Sequence, residues 1–127
     1  MGFVLIVRSN SKKNIDRFLI KVNRYSGYIL IPLTVGLLVS GYRMVGYFNF
    51  FSRGLADLLH RIFIHTAFVL TFSIHTFLSL RHVLMRRNIK GVLVDILLII
   101  AGVGFAGYFV FLGLTIYMRF GAARPGF

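Results

Sequence analysis

The chain has no cysteine, no tryptophan and only two prolines, and its 127 residues carry three acidic side chains against fifteen Lys and Arg. Without cysteine it can form no disulfide, no cysteine-ligated iron–sulfur cluster and no covalently attached c-type haem. Any haem would be held non-covalently. Without tryptophan, an interfacial aromatic belt falls to Tyr and Phe, and Tyr25, Tyr28, Tyr42, Tyr47 and Tyr117 stand near the ends of apolar runs. There is no Gly-rich nucleotide loop, no flavin fingerprint and no long soluble stretch, so chemistry on a soluble substrate belongs to another polypeptide and this chain is not catalytic alone.

What is present is hydrocarbon. Hydrophobic residues make up 57% of the chain and charged residues 14%, well below the quarter usual in soluble domains, and the mean hydropathy is +0.82. Three windows, Tyr25 to Tyr42, Ile62 to Leu80 and Val92 to Met118, approach or exceed the roughly 20 residues that a helix needs to cross a 30 Å core. The first two contain no Asp, Glu, Lys or Arg. Unpaired backbone amides are too costly in lipid for any open-chain alternative to helix, and three segments cannot close a barrel. The expectation is an all-α integral membrane protein, one domain over 1–127, with three transmembrane helices at about 25–45, 58–84 and 92–118. The N-terminal GFVLIV run is too short for a signal-peptide core and is expected to stay in the mature chain, with no role assigned to residues 1–8.

Three crossings place Arg8, Lys12, Lys13, Arg17, Lys21, Arg24, Arg81, Arg86, Arg87 and Lys90 on one side, and Arg43, Arg53, Arg61, Arg119 and Arg124 on the other. The richer side is expected to be cytoplasmic, or the matrix side in a mitochondrion, by the positive-inside rule. The net charge of +12 is read as contact with anionic lipid and an acidic docking partner, not nucleic acid, because the cations gather at helix ends and no aromatic binding module accompanies them.

All four histidines, His60, His65, His75 and His82, fall within Leu59 to Lys90. A neutral imidazole inside a membrane bundle needs a partner, and haem iron is the commonest ligand of that kind. At about 100° per residue, His75 and His82 share a helix face within about 20°, whereas His65 points about 80° from His75. His75 lies roughly 9 Å inside Arg81, within the hydrocarbon near the basic side, and is the candidate axial ligand. Thr71 and Ser79 are small neighbours that would let a macrocycle approach. His82, beside Arg81 at the surface, reads as a propionate or headgroup partner, or as a solvated interfacial residue. His60 is about 60° from His75 and roughly 22 Å away, a span suited to a second haem. That interval exceeds by one residue the usual spacing of about thirteen or fourteen for such ligands. A structural role is therefore expected for His60, and an interhelical hydrogen bond for His65.

His75-Thr-Phe-Leu-Ser-Leu-Arg81-His82 resembles the H-x-x-x-G-[IL]-R-H stretch on the second helix of the cytochrome b membrane-anchor subunit of the succinate dehydrogenase/fumarate reductase family, with Ser79 where glycine is usual. Arg24-Tyr-Ser26-Gly27 is similar to that family's R-x-S-G, with Asn23 where a histidine commonly precedes it. The resemblance implies a b-type haem ligated by His75, quinone and propionates approached by Arg24 and Ser26, and His82 with Arg81 near the propionates. It further implies iron–sulfur and flavoprotein partner subunits, electron transfer to quinone, and a place in the cell inner membrane or the mitochondrial inner membrane. A pure electron-transfer haem commonly takes two strong ligands, so a second membrane subunit or a second copy is expected to supply the other. Ser40-Gly41-Tyr42 and the histidine-rich second helix are also similar to small cytochromes b of hydrogenases and formate dehydrogenases. A third possibility, of another class, is a haem-free scaffold or assembly protein whose histidines only hydrogen-bond between helices. Asp95 is expected to pair with Lys90, Arg86 or Arg87, with proton delivery to quinone as a further possibility. Gly102, Gly104, Gly107 and Gly113 are expected to form a helix-packing surface.

Overall fold

The computed structural model describes residues 2–121, with side chains for 10–120. Arg124 lies outside the described residues, as does the side chain of Arg8. The described residues are helical without strands: α1 (Gly2–Met44), α2 (Arg53–Leu58), a π-helical turn (Leu59–Ile64), α3 (His65–Arg86), α4 (Val92–Ile116) and a terminal π turn (Tyr117–Gly121). Three rods, Asn10–Met44, Arg53–Arg86 and Val92–Phe120, are long and apolar enough to cross a bilayer. This is the expected all-α, multi-pass architecture.

α1 starts far before the expected residue 25. No glycine or proline interrupts residues 3–26, and charged side chains do not stop a helix, so the basic segment continues the membrane helix outward. Its 43 residues amount to about 65 Å of rise, twice the hydrocarbon thickness. Pro32 sits inside it, deprives the carbonyl four residues back of its amide partner and favours a bend there.

The Arg53–Arg86 rod begins at Ser52, whose Oγ accepts the Leu55 amide as an N-cap, 3.2 Å. It ends in a Schellman arrangement. Asn88 takes the left-handed conformation (φ 60°), while the Ile89 amide bonds the Leu84 carbonyl and the Asn88 amide bonds that of Met85. Between α1 and α2, Arg43 donates to the Phe51 carbonyl and to Asn49 Oδ1, beneath a chain of aromatic contacts through Tyr47, Tyr42, Phe48, Phe50 and Phe51. Tyr42 and Tyr47 of the expected aromatic belt are gathered there, at the end that this loop defines.

The second rod is central and antiparallel to both neighbours. On one side α1 meets it at Asn23 with His75 and Ser79, at Gly36 with Ile64, and at Ser40 with His60. On the other side Ser73 Oγ donates to the Gly102 carbonyl, 2.9 Å, Phe77 lies on Gly102, and His65 lies on Gly113. Phe105 joins the rings of Phe72, Phe77 and Phe109. Of the four glycines expected to pack α4, Gly102 and Gly113 do so, whereas Gly104 and Gly107 face open space. They lie two and five residues beyond Gly102, about 200° and 140° around the helix, and so turn away from α3. Among the described residues, buried side chains are few and small: Ala56, Val69 and Ala106, with Ser26, Ser40 and Ser73.

One ion cluster ties the three rods at the basic end. Arg81 Nε meets Asp95 at 2.8 Å and its Nη1 meets Asp16 at 3.2 Å. Asp95 therefore pairs with Arg81, not with Lys90, Arg86 or Arg87. The reason is position: Asp95 lies one turn into an antiparallel helix, level with Arg81 and past the end of α3 and the loop, where Arg86, Arg87 and Lys90 stand.

Candidate functional site

The lower junction between α1 and α3 is built from Asn23, Ser26, Gly27, His75 and Ser79. His75 Nδ1 lies 3.0 Å from the Asn23 carbonyl and 3.2 Å from Ser26 Oγ, while Ser26 Oγ itself donates to the Asn23 carbonyl at 2.9 Å. A carbonyl can only accept, so the proton resides on Nδ1 and the lone pair on Nε2. Ser79 Oγ donates to Asn23 Oδ1 at 3.1 Å, which fixes the Asn23 side chain. Gly27 gives the ring its room, because a Cβ there would stand 3.2 Å from His75 Cε1. Among the described residues Nε2 has no hydrogen-bond partner, and it is not enclosed.

A second junction repeats the pattern toward the other end of the same helix pair. His60 Nδ1 lies 2.9 Å from Ser40 Oγ, whose hydrogen goes to the Gly36 carbonyl at 2.6 Å. The serine thus accepts from His60. A Cβ on Gly41 would stand 3.3 Å from His60 Cε1. His65 points to the opposite flank, its Nδ1 enclosed and without a partner among the described residues. The interhelical hydrogen bond expected of His65 is thus made by His60, because His65 faces a glycine whose carbonyl is already in the α4 ladder. His82 Nε2 is likewise enclosed and unpartnered among the described residues.

The remaining sequence-derived residues divide. Ser26, expected beside quinone and propionates, stands instead against His75. Its hydrogen is spent on Asn23, so it offers no donor to a quinone. Arg24 is exposed, two residues and about 200° around α1 from Ser26. Arg81 is engaged by two carboxylates and is not a free cation for a propionate. Ser79 serves α1 and not a macrocycle. Asn23 was legible only as a departure from the family pattern, yet its backbone and side chain both organise the site. Asp16, Ser40 and Gly41 were missed as site residues. The signal for the last two was the repeated Ser-Gly-Tyr triplet at 26–28 and 40–42.

A groove of about 550 Å³ runs between α1 and α4 over α3, lined by Phe18, Val22, Ile74, Phe77 and Leu98 among others, and reaches Arg81 and Asp95. It lies on a different flank of α3 from His75. No protein family, curated protein or solved structure shows significant similarity to the chain.

Among the described residues no three His, Cys, Asp or Glu side chains gather closely enough to hold a bare metal ion. A haem makes a smaller demand. The porphyrin supplies four nitrogens and the protein one or two. The donor it needs is an imidazole with Nε2 open, oriented by an Nδ1–H bond to a carbonyl, and His75 is so placed.

Proposed function

We propose that this chain is the membrane-anchor subunit of a respiratory oxidoreductase of the succinate dehydrogenase/fumarate reductase type, binding b-type haem and relaying electrons between an iron–sulfur partner and quinone. The observation that carries the reading is the state of His75, with Nδ1 locked to the Asn23 carbonyl and Nε2 unpartnered. A histidine present only to join helices would not need its outer nitrogen left open in a place where an unsatisfied polar atom costs free energy.

In this reading His75 is the axial ligand, and Asn23, Ser26 and Gly27 set its orientation. When bound, the haem supplies a one-electron relay. The second ligand comes from another membrane subunit or a second copy, since α1 and α3 surround only one side of the imidazole. Among the described side chains nine cations lie toward the Arg81 end and four toward the other. This supports a cytoplasmic or matrix placement for the Arg81 end and docking of an acidic iron–sulfur protein there. Quinone is better served by the apolar groove than by Arg24 and Ser26. The groove ends at the Arg81–Asp95 ion pair, whose polar groups would face a quinone headgroup there.

The test is the visible spectrum of the complex purified from membranes. A b-type haem gives a Soret band that sharpens and shifts on reduction. His75→Ala is expected to abolish the band of the haem it holds, and His65→Ala to leave the spectrum largely intact. A colourless wild-type complex would overturn the reading in favour of a scaffold.

A further inference from the structure

We infer that His60 is a second axial-ligand position, equivalent to His75 and about 21 Å from it along the helix pair, so that the chain carries ligands for two haems, one toward each side of the bilayer. This rests on the haem reading above and extends it.

The inference starts from a mismatch in the sequence that the fold removes. On α1, Ser26-Gly27-Tyr28 recurs as Ser40-Gly41-Tyr42, an interval of fourteen residues. On the facing rod His60 and His75 are fifteen apart. In an unbroken α-helix, fourteen residues rotate a side chain to about −40° and fifteen to about +60°. Two histidines spaced by fifteen could not both face two serines spaced by fourteen.

The Leu59–Ile64 turn is π-helical. The His65 amide reaches the carbonyl of His60, five residues back, and one residue is absorbed without the usual rotation. The interval from His60 to His75 then behaves as fourteen, and both rings come to bear on α1.

The outcome is the same local chemistry twice. His75 Nδ1 is 3.2 Å from Ser26 Oγ and His60 Nδ1 is 2.9 Å from Ser40 Oγ. Each serine has committed its own hydrogen to a carbonyl of its helix, Asn23 in one case and Gly36 in the other. Each therefore accepts from the imidazole and leaves the lone pair on Nε2. A Cβ on Gly27 would stand 3.2 and 3.6 Å from Cε1 and Nδ1 of His75; on Gly41 the corresponding distances to His60 are 3.3 and 3.7 Å. Neither Nε2 has a hydrogen-bond partner among the described residues, and neither is enclosed.

A π turn has poorer hydrogen bonds than the α-helix it replaces, and such turns concentrate at functional sites. Here its effect is to restore one imidazole to a mount already present on the other helix. A histidine needed only as a tie between helices would use Nδ1 alone. A ligand also needs Nε2.

That distinction sets the experiment. His→Asn keeps a donor near the Nδ1 position and removes the Nε2 ligand. The complex, purified from membranes as His60→Asn, as His75→Asn and as wild type, is compared by haem content per chain and by optical redox titration. The wild type should titrate as two components. Each variant should keep about half the haem and lose one component, a different one in each case.

Should H60N keep the full haem complement and both components while H75N is depleted, the second site is refuted and the haem reading stands. A colourless wild type would refute both. If H60N does not assemble, H75N still decides: half the haem retained supports the second position, and complete loss overturns it.

Discussion

Replacing Gly113 by alanine tests how α4 is held. An added Cβ would stand 2.6 Å from His65 Nδ1, 2.7 Å from Cε1 and 3.4 Å from the Arg61 carbonyl. Comfortable contact between such atoms is about 3.5 Å or more, so the overlap with the imidazole is about 0.9 Å. Relief requires either that the ring leave its place or that α4 move off the central rod by a comparable amount. Close approach through small residues is what joins helices in lipid, where burial of apolar surface gives no drive for association. Overpacking of this kind costs about 1–3 kcal/mol. The assay is reversible unfolding in mixed micelles on titration with a denaturing detergent. G113A should lower stability by that amount, and G113A combined with His65→Ala should recover most of it, because the second change removes the atoms that collide. Additive losses in the double variant would refute the contact and the placement of α4 that follows from it.

Three further outcomes follow from the fold. Arg81→Gln removes both ion pairs that bring α1 and α4 to α3. Because the Asp16 and Asp95 side chains are 41% and 44% exposed, the loss should fall between that of surface and buried pairs, about 1–3 kcal/mol. It should shrink as salt is raised in thermal unfolding. Deleting Phe63 from the π turn should convert it to α-helix while keeping His60 opposite Ser40, with haem content unchanged. Inserting one alanine within α3 between Val69 and Phe72 should instead rotate His60 by about 100° and remove the haem that depends on it.

The three membrane rods were legible because hydropathy and segment length are properties of local composition. The starting point of α1 was not, since the charged residues from Arg8 to Arg24 read as a boundary in hydropathy although nothing in them opposes helix. His75 and Ser26 were each singled out through a separate short motif, but their pairing across two helices was not legible. The mount beneath them, Asn23, read as a missing histidine, because a backbone carbonyl leaves no trace in residue identity. His60 shows the harder limit. Its interval from His75 counted against it, being one residue longer than is usual for paired haem ligands. The compensating turn is set by a spacing on another helix, and only the comparison of two intervals, fourteen on one rod and fifteen on its neighbour, could have exposed it.

Among the described residues only three apolar side chains, Ala56, Val69 and Ala106, are withdrawn from contact with the surroundings. A body with so small an interior has no shape of its own to defend. What surrounds it, acyl chains or the flanks of neighbouring subunits, supplies the greater part of the cohesion that a soluble domain finds within. A melting temperature taken in one detergent will therefore describe that detergent as much as the polypeptide.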